Sequence, residues 1–144
     1  VSATVDTNVL LYAMNTRAPS SAEAYELLER LARGPELLYV FWPVVMGFLR
    51  LSTNRSLSDD PLSPAQALSA VDSLVDRPHV RAPGEAPGFL DFYRRASLPG
   101  ARGRHVTDAH IAALMSQHGV RKIYTRDRDF RRFDGIVAED PFGS

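Results

Sequence analysis

Four aspartates stand at points where the local sequence pattern changes. Asp6 closes the β-branched run Thr4-Val5, Asp127 and Asp129 follow the apolar run Ile123-Tyr124-Thr125, and Asp108 opens a helical pattern. On that predicted helix Asp108, Ile111, Ala112 and Met115 share one face. Ile111 and Met115 must face the core, so Asp108 is expected at the core-side tip. Several carboxylates would then converge at one edge of the fold. Clustered carboxylates repel one another, and burial raises their pKa. A hard divalent cation such as Mg²⁺ or Mn²⁺ resolves that conflict, because it prefers oxygen donors. So held, it can activate water and stabilise charge on a phosphodiester. The basic residues Arg102, Arg104 and His105 are the expected contacts to a phosphate backbone.

Each aspartate also has a plain structural role. Asp6 can end a strand in an Asx-turn, Asp108 can complement a helix macrodipole, and Asp127 can cap a helix. It is the placing of all of them at one edge that favours a metal site. His110 and His118 fall at helical positions suited to packing or surface roles, and no H-E-x-x-H spacing is present. Arg126, Arg128, Arg131 and Arg132 read as a solvated, salt-bridged face.

The elements that must position these residues follow from periodicity and breakers. Strands are predicted at Thr4–Thr7, Leu37–Trp42, His79–Ala82, Arg121–Thr125 and Gly135–Ala138, the last at a sheet edge. Helices are predicted over Asn8–Asn15, Ser21–Arg33, Pro43–Asn54, Ser63–Asp76, Pro87–Ser97, Thr107–His118 and Asp129–Phe133. Arg55–Pro64 and Leu98–Arg104 read as loops. Strands alternating with helices predict an α/β domain with a mainly parallel sheet and right-handed crossovers. In such sheets ligands bind beyond the carboxyl ends of the strands, where the aspartates are.

Composition sets bounds. The 144 residues contain no cysteine, which excludes disulfides, thiolate metal sites and a cysteine nucleophile within them. Basic and acidic residues balance at 17 each, so any affinity for nucleic acid must come from local clustering. There is no run of membrane-spanning length and no signal-peptide pattern, which fits a cytoplasmic protein.

Three stretches together resemble the PIN-domain ribonucleases, most closely the VapC toxins of bacterial toxin–antitoxin pairs. They are Val5-Asp6-Thr7-Asn8-Val9-Leu10-Leu11-Tyr12-Ala13, Thr107-Asp108-Ala109-His110-Ile111-Ala112-Ala113-Leu114 and Thr125-Arg126-Asp127-Arg128-Asp129-Phe130-Arg131-Arg132-Phe133, with the closing Glu139-Asp140-Pro141-Phe142 similar as well. The resemblance runs in order along nearly the whole chain and implies one PIN-like domain over residues 1–144, a three-layer α/β/α sandwich. It implies an endoribonuclease dependent on Mg²⁺ or Mn²⁺, with Asp6, Asp108 and Asp127 as catalytic metal ligands and Asp129 as an auxiliary one. Asn8 and Thr125 would orient the carboxylates. It also implies a homodimer, a larger assembly with a cognate VapB-type antitoxin, and an RNA substrate. Exposed faces of Ser21–Arg33 and Pro43–Asn54 suit an antitoxin helix, and an antitoxin arginine would fit the acidic cluster.

Gly47 departs from the family pattern. Family members usually carry glutamate there, as one of the acidic ligands, and no carboxylate occurs between Glu36 and Asp59. Glycine inside a helix costs about 1 kcal/mol relative to alanine. Three explanations follow: a substitution that disables a toxin, drift to a catalytically silent module that binds an antitoxin or RNA, or a glycine that lets two helices pack closely. An unrelated phosphoacceptor domain would also cluster aspartates. It needs a lysine at the end of a late strand, whereas the single lysine, Lys122, lies at the start of one.

Overall fold

The structure, a computed structural model, describes every residue except Thr16, Ser58, Gly143 and Ser144. Ser58, inside the predicted 55–64 loop, and the last two residues of the expected domain therefore lie outside the described residues. Among the described residues five strands form one sheet: β1 (Ala3–Val5), β2 (Leu38–Tyr39), β3 (Val80–Arg81), β4 (Lys122–Tyr124) and β5 (Val137–Glu139). Their order is β3-β2-β1-β4-β5 and every pairing is parallel. Ala3, Thr4 and Val5 of β1 are all buried, as expected of a central strand covered on both faces.

Six α-helices flank the sheet among the described residues: α1 (Thr7–Met14), α2 (Ser21–Ala32), α3 (Trp42–Ser52), α4 (Pro64–Val75), α5 (Phe89–Ala96) and α6 (His105–Gln117). This is the α/β sandwich expected from the sequence. α1 begins immediately after β1 because the Asp6 carboxylate accepts a hydrogen bond from Thr7 N at 2.7 Å. It turns Val9, Leu10 and Ala13 inward. α4 starts with a full capping box between Ser63 and Gln66. In α6, Ala109 and Ile111 through Met115 are all buried, so nearly its whole circumference is covered by neighbours, among them α3 and α5.

Two boundaries differ from the sequence reading in ways that matter. Trp42 begins α3 instead of ending β2, and its indole N–H donates to Ala82 O at 3.1 Å. Pro43 then occupies the first turn, where its missing N–H costs nothing. α6 starts at His105, two residues before the Thr107-Asp108 start expected from the sequence, with Arg104 at the cap position and no side-chain cap. Thr107 and Asp108 are therefore first-turn residues rather than caps, and His105 belongs to the helix rather than to the basic loop.

The strand order fixes where a site can form. From β1 the chain steps to β2 and β3 on one side, then returns past β1 to β4 and β5. The reversal falls between β1 and β4, whose last residues, Val5 and Tyr124, are register partners. Their C-terminal ends are therefore adjacent, at the crevice where open α/β sheets bind ligands.

Candidate active site

Asp6 emerges from β1 at this crevice and is only 9% exposed. Its Oδ1 is engaged by Thr7 N. Its Oδ2 accepts from Thr125 Oγ1 at 2.8 Å and from Asn8 Nδ2 at 3.4 Å. Thr125, buried at the end of β4, uses its hydroxyl in both directions: it donates to Asp6 and accepts from Asp127 N at 2.9 Å. Asn8 approaches that same hydroxyl at 3.5 Å, and its carbonyl oxygen accepts from Arg126 N at 3.4 Å. Asn8 and Thr125 thus tie the β1 exit to the β4 exit and fix the rotamer of Asp6.

Asp127 caps the short 3₁₀ turn Arg128–Arg132, its Oδ1 accepting from Asp129 N at 2.9 Å. Asp6 and Asp127 do act as helix caps, then, and each has only part of its carboxylate occupied by that role. Asp108 supplies the third direction, from the first turn of α6. Burial, followed by the negative charges of Asp127, Asp6 and Asp129, pushes its carboxyl up to about 6, with Arg132 opposing. Burial also raises Asp6, against hydrogen bonds from Thr125 and Thr7, and Asp127 adds to the rise. Asp108 therefore feels the charges of the other three aspartates singled out in the sequence, and Asp6 that of Asp127.

The basic residues are arranged differently from one another. Arg102 and Arg104 are exposed, and an Arg104 guanidinium nitrogen stands 4.0 Å from Asp129 Oδ2, at the rim. His105 faces inward along α6, one turn before Asp108, with Nδ1 3.9 Å from Asp108 Oδ2. That nitrogen is closed off from solvent and has no hydrogen-bond partner. One donor atom from each of His105, Asp108 and Asp129 lies within 4.8 Å of the others. An orphaned imidazole nitrogen beside crowded carboxylates is a donor set suited to a divalent cation.

Sequence reasoning gave His105 the role of a phosphate contact. The structure turns its Nδ1 towards Asp108, and the i, i+3 spacing behind that approach becomes visible only once the helix is known to start at residue 105. Arg126 is exposed, as expected of a solvated face, and it also makes contacts that the sequence did not show. Its guanidinium lies 5.3 Å from the Tyr12 ring centre and 4.8 Å from that of Phe142, and so pins the chain's closing segment against α1. His110 and His118 have packing roles outside the crevice: His110 meets Glu85 at 2.7 Å and His118 meets Gly84 O at 2.9 Å.

Gly47 lies on α3 opposite the first residue of α1. A Cβ at position 47 would fall 2.9 Å from Thr7 Oγ1, which donates to Val44 O at 3.2 Å. The glycine permits this close approach, and any side chain there must displace the Thr7 hydroxyl from its bond. Gly47→Ala gains about 1 kcal/mol of helix propensity and disturbs a hydrogen bond of similar value. The expected result is a double-mutant coupling: alanine at 47 stabilises the Thr7→Ala background by about 1 kcal/mol and is neutral or harmful with Thr7 present. Urea denaturation of the four proteins measures it, and additive effects would show that the contact carries no energy.

A cavity of about 720 Å³ lies between α2 and β5, lined by Glu23, Glu26, Glu139 and Asp140 among others. A small cleft of about 50 Å³ at Thr125, Asp127 and Arg131 shares Asp140 with it. A smaller cavity of about 200 Å³ between α1, α2, α3 and α4 is mostly apolar, lined by Leu10, Met14, Leu28, Phe48 and Leu74.

Comparison with known proteins places this geometry. Residues 3–136 match the PIN domain family. Ribonuclease VapC48 of Mycobacterium tuberculosis is 45% identical over 99% of each chain. Ribonuclease VapC43 of the same organism is 38% identical over 95% of this chain and 93% of its own. Among solved structures, VapBC2 of Rickettsia felis bound to a DNA fragment from its promoter superposes with a TM-score of 0.67 at 19% identity, over 96% of this chain and 98% of that one. The sarcin–ricin-loop-cleaving toxin VapC20 of M. tuberculosis superposes with a TM-score of 0.66 at 19% identity, over 93% and 98%. A family match across most of its length, joined by near-full-length relatives at this identity, shows that the chain belongs to the PIN-domain family and is a VapC-type protein.

Proposed function

We propose that the chain is a divalent-metal-dependent endoribonuclease, the toxin of a VapBC-type pair, weakened by glycine at position 47. The observation that carries this reading is the gathering of Asp6, Asp108, Asp127 and Asp129 around the sheet's reversal point, where burial and then the charges of the other three push Asp108 up to about 6. Asp6, Asp108 and Asp127 would hold the cation, with Asp129 beside them. Bound there, Mg²⁺ or Mn²⁺ supplies a Lewis acid that makes water nucleophilic at neutral pH and offsets charge on a phosphodiester.

The chain's own groups do the rest. Thr125 and Asn8 keep Asp6 in one orientation, so no reorganisation is needed when substrate arrives. Arg104, at the crevice rim beside Asp129, and the exposed Arg102 two residues before it offer charge-assisted hydrogen bonds to a phosphate backbone. The apolar cavity between α1, α2, α3 and α4 suits the apolar face of an antitoxin helix, and the acidic crevice suits an antitoxin arginine. The relatives' names support RNA as substrate.

A second reading is a silent PIN-fold module that binds an antitoxin or RNA. The Thr7 hydroxyl settled against Gly47 favours it, because the packing is complete without a carboxylate at that position. The test is RNA cleavage with Mn²⁺ by this chain and by Gly47→Glu. Cleavage by the variant alone identifies a nuclease lacking one ligand. Cleavage by both shows that the aspartates suffice. If neither cuts, and Asp6→Ala leaves Mn²⁺ binding unchanged, the silent module is the correct reading.

A further inference from the structure

We infer that His105 is a nitrogen donor to a cation shared with Asp108 and Asp129, and biases that position towards Mn²⁺ over Mg²⁺. The inference deepens the metal-dependent reading above and rests on it. His105 Nδ1 is buried, without a partner, and turned towards Asp108. A gap of 3.9 Å is too long for a hydrogen bond, so the carboxylate does not satisfy the nitrogen. Leaving it in that state costs free energy that a bound cation would recover.

Donor chemistry gives the direction of selectivity. Asp108 and Asp129 contribute oxygen, and the atoms of all three residues lie close enough to share one ion. Imidazole suits first-row transition ions, whereas Mg²⁺ demands oxygen and gives up its waters reluctantly. A neutral imidazole also adds a donor without adding to the negative charge of an already crowded site.

The experiment is Mn²⁺ titration of the full chain, followed by electron paramagnetic resonance, with spin-echo envelope modulation to detect a coupled imidazole nitrogen. The unmodified chain is expected to show that coupling. His105→Leu should lose it and bind Mn²⁺ about tenfold more weakly, with Mg²⁺ competition changed much less. Mn²⁺ binding that is abolished by Asp108→Asn but shows no imidazole coupling would overturn the role of His105 and leave the acidic metal site standing. A chain that binds no Mn²⁺ at millimolar concentration would overturn both. The unmodified chain's spectrum decides the point even if His105→Leu does not fold.

Discussion

Asp6→Asn is expected to reduce RNA cleavage by at least about 10²–10³-fold, the range for loss of one preorganised electrostatic group. The substitution keeps the size of the side chain. Its Oδ1 can still accept from Thr7 N, so α1 keeps its cap. It loses the negative charge, and the NH₂ now faces the Thr125 hydroxyl and the Asn8 amide, both of which donate to Asp6 Oδ2 at present. The Thr125 hydroxyl must turn, and the junction between β1 and β4 loosens. Thr125→Val tests the positioning role separately: charge remains and orientation is lost, so cleavage should fall by about 10–100-fold, as for other groups that orient a ligand. Single-turnover cleavage of a labelled RNA measures both. Measured in whichever background cuts, this chain or Gly47→Glu, equal cleavage with and without Asp6→Asn would remove Asp6 from the machinery.

The second large effect concerns stability, and its sign is opposite to that for activity. Asp108 has a folded-state carboxyl near 6 against an ordinary value of 3.8. Between those values the folded state holds more protons than the unfolded state, so stability falls as pH rises through the window. The penalty is absent below about pH 4 and complete above about pH 6. At 1.36 kcal/mol per unit the shift amounts to at most about 3 kcal/mol. Asp108→Asn should therefore raise the melting temperature in EDTA at pH 7.5 by several degrees, on the scale of a chain this size. The difference should shrink towards zero at pH 4. Adding Mn²⁺ should restore stability to the parent chain and give the variant much less. A variant no more stable than its parent at pH 7.5 would show that the carboxylates do not strain the fold.

Much of this architecture could be read from residue pattern. The strands around Val5 and Ile123 are runs too apolar to face water, and breakers such as Gly34-Pro35 and Pro83-Gly84 separate the elements. The aspartates stood out because each follows a strand or opens a helix, and strand ends in parallel sheets meet at one edge. What escaped was set by tertiary context. Arg104-His105-Val106 carries no cap signal, so the true start of α6 is fixed by packing rather than by local chemistry. Trp42 looks like strand sequence, yet the helix takes it because Pro43 must sit in a first turn. The Arg126 sandwich joins residues 12, 126 and 142, a separation that no local window spans. The meaning of Gly47 was half legible: its helical cost was visible, while the Thr7 hydroxyl opposite it was not.

The central place of β1 has a consequence for biosynthesis. The hydroxyl that orients Asp6 belongs to Thr125, 119 residues later. A nascent chain that has reached only residue 100 holds neither Asp108 nor β4, and β1 then lacks its neighbour on one side. An interrupted translation product therefore carries no assembled crevice. Domains generally fold as units once their sequence is available, and here that condition is met only after β4 has been made. A copy that stops short of β4 lacks the site to which the proposed RNA cleavage is assigned.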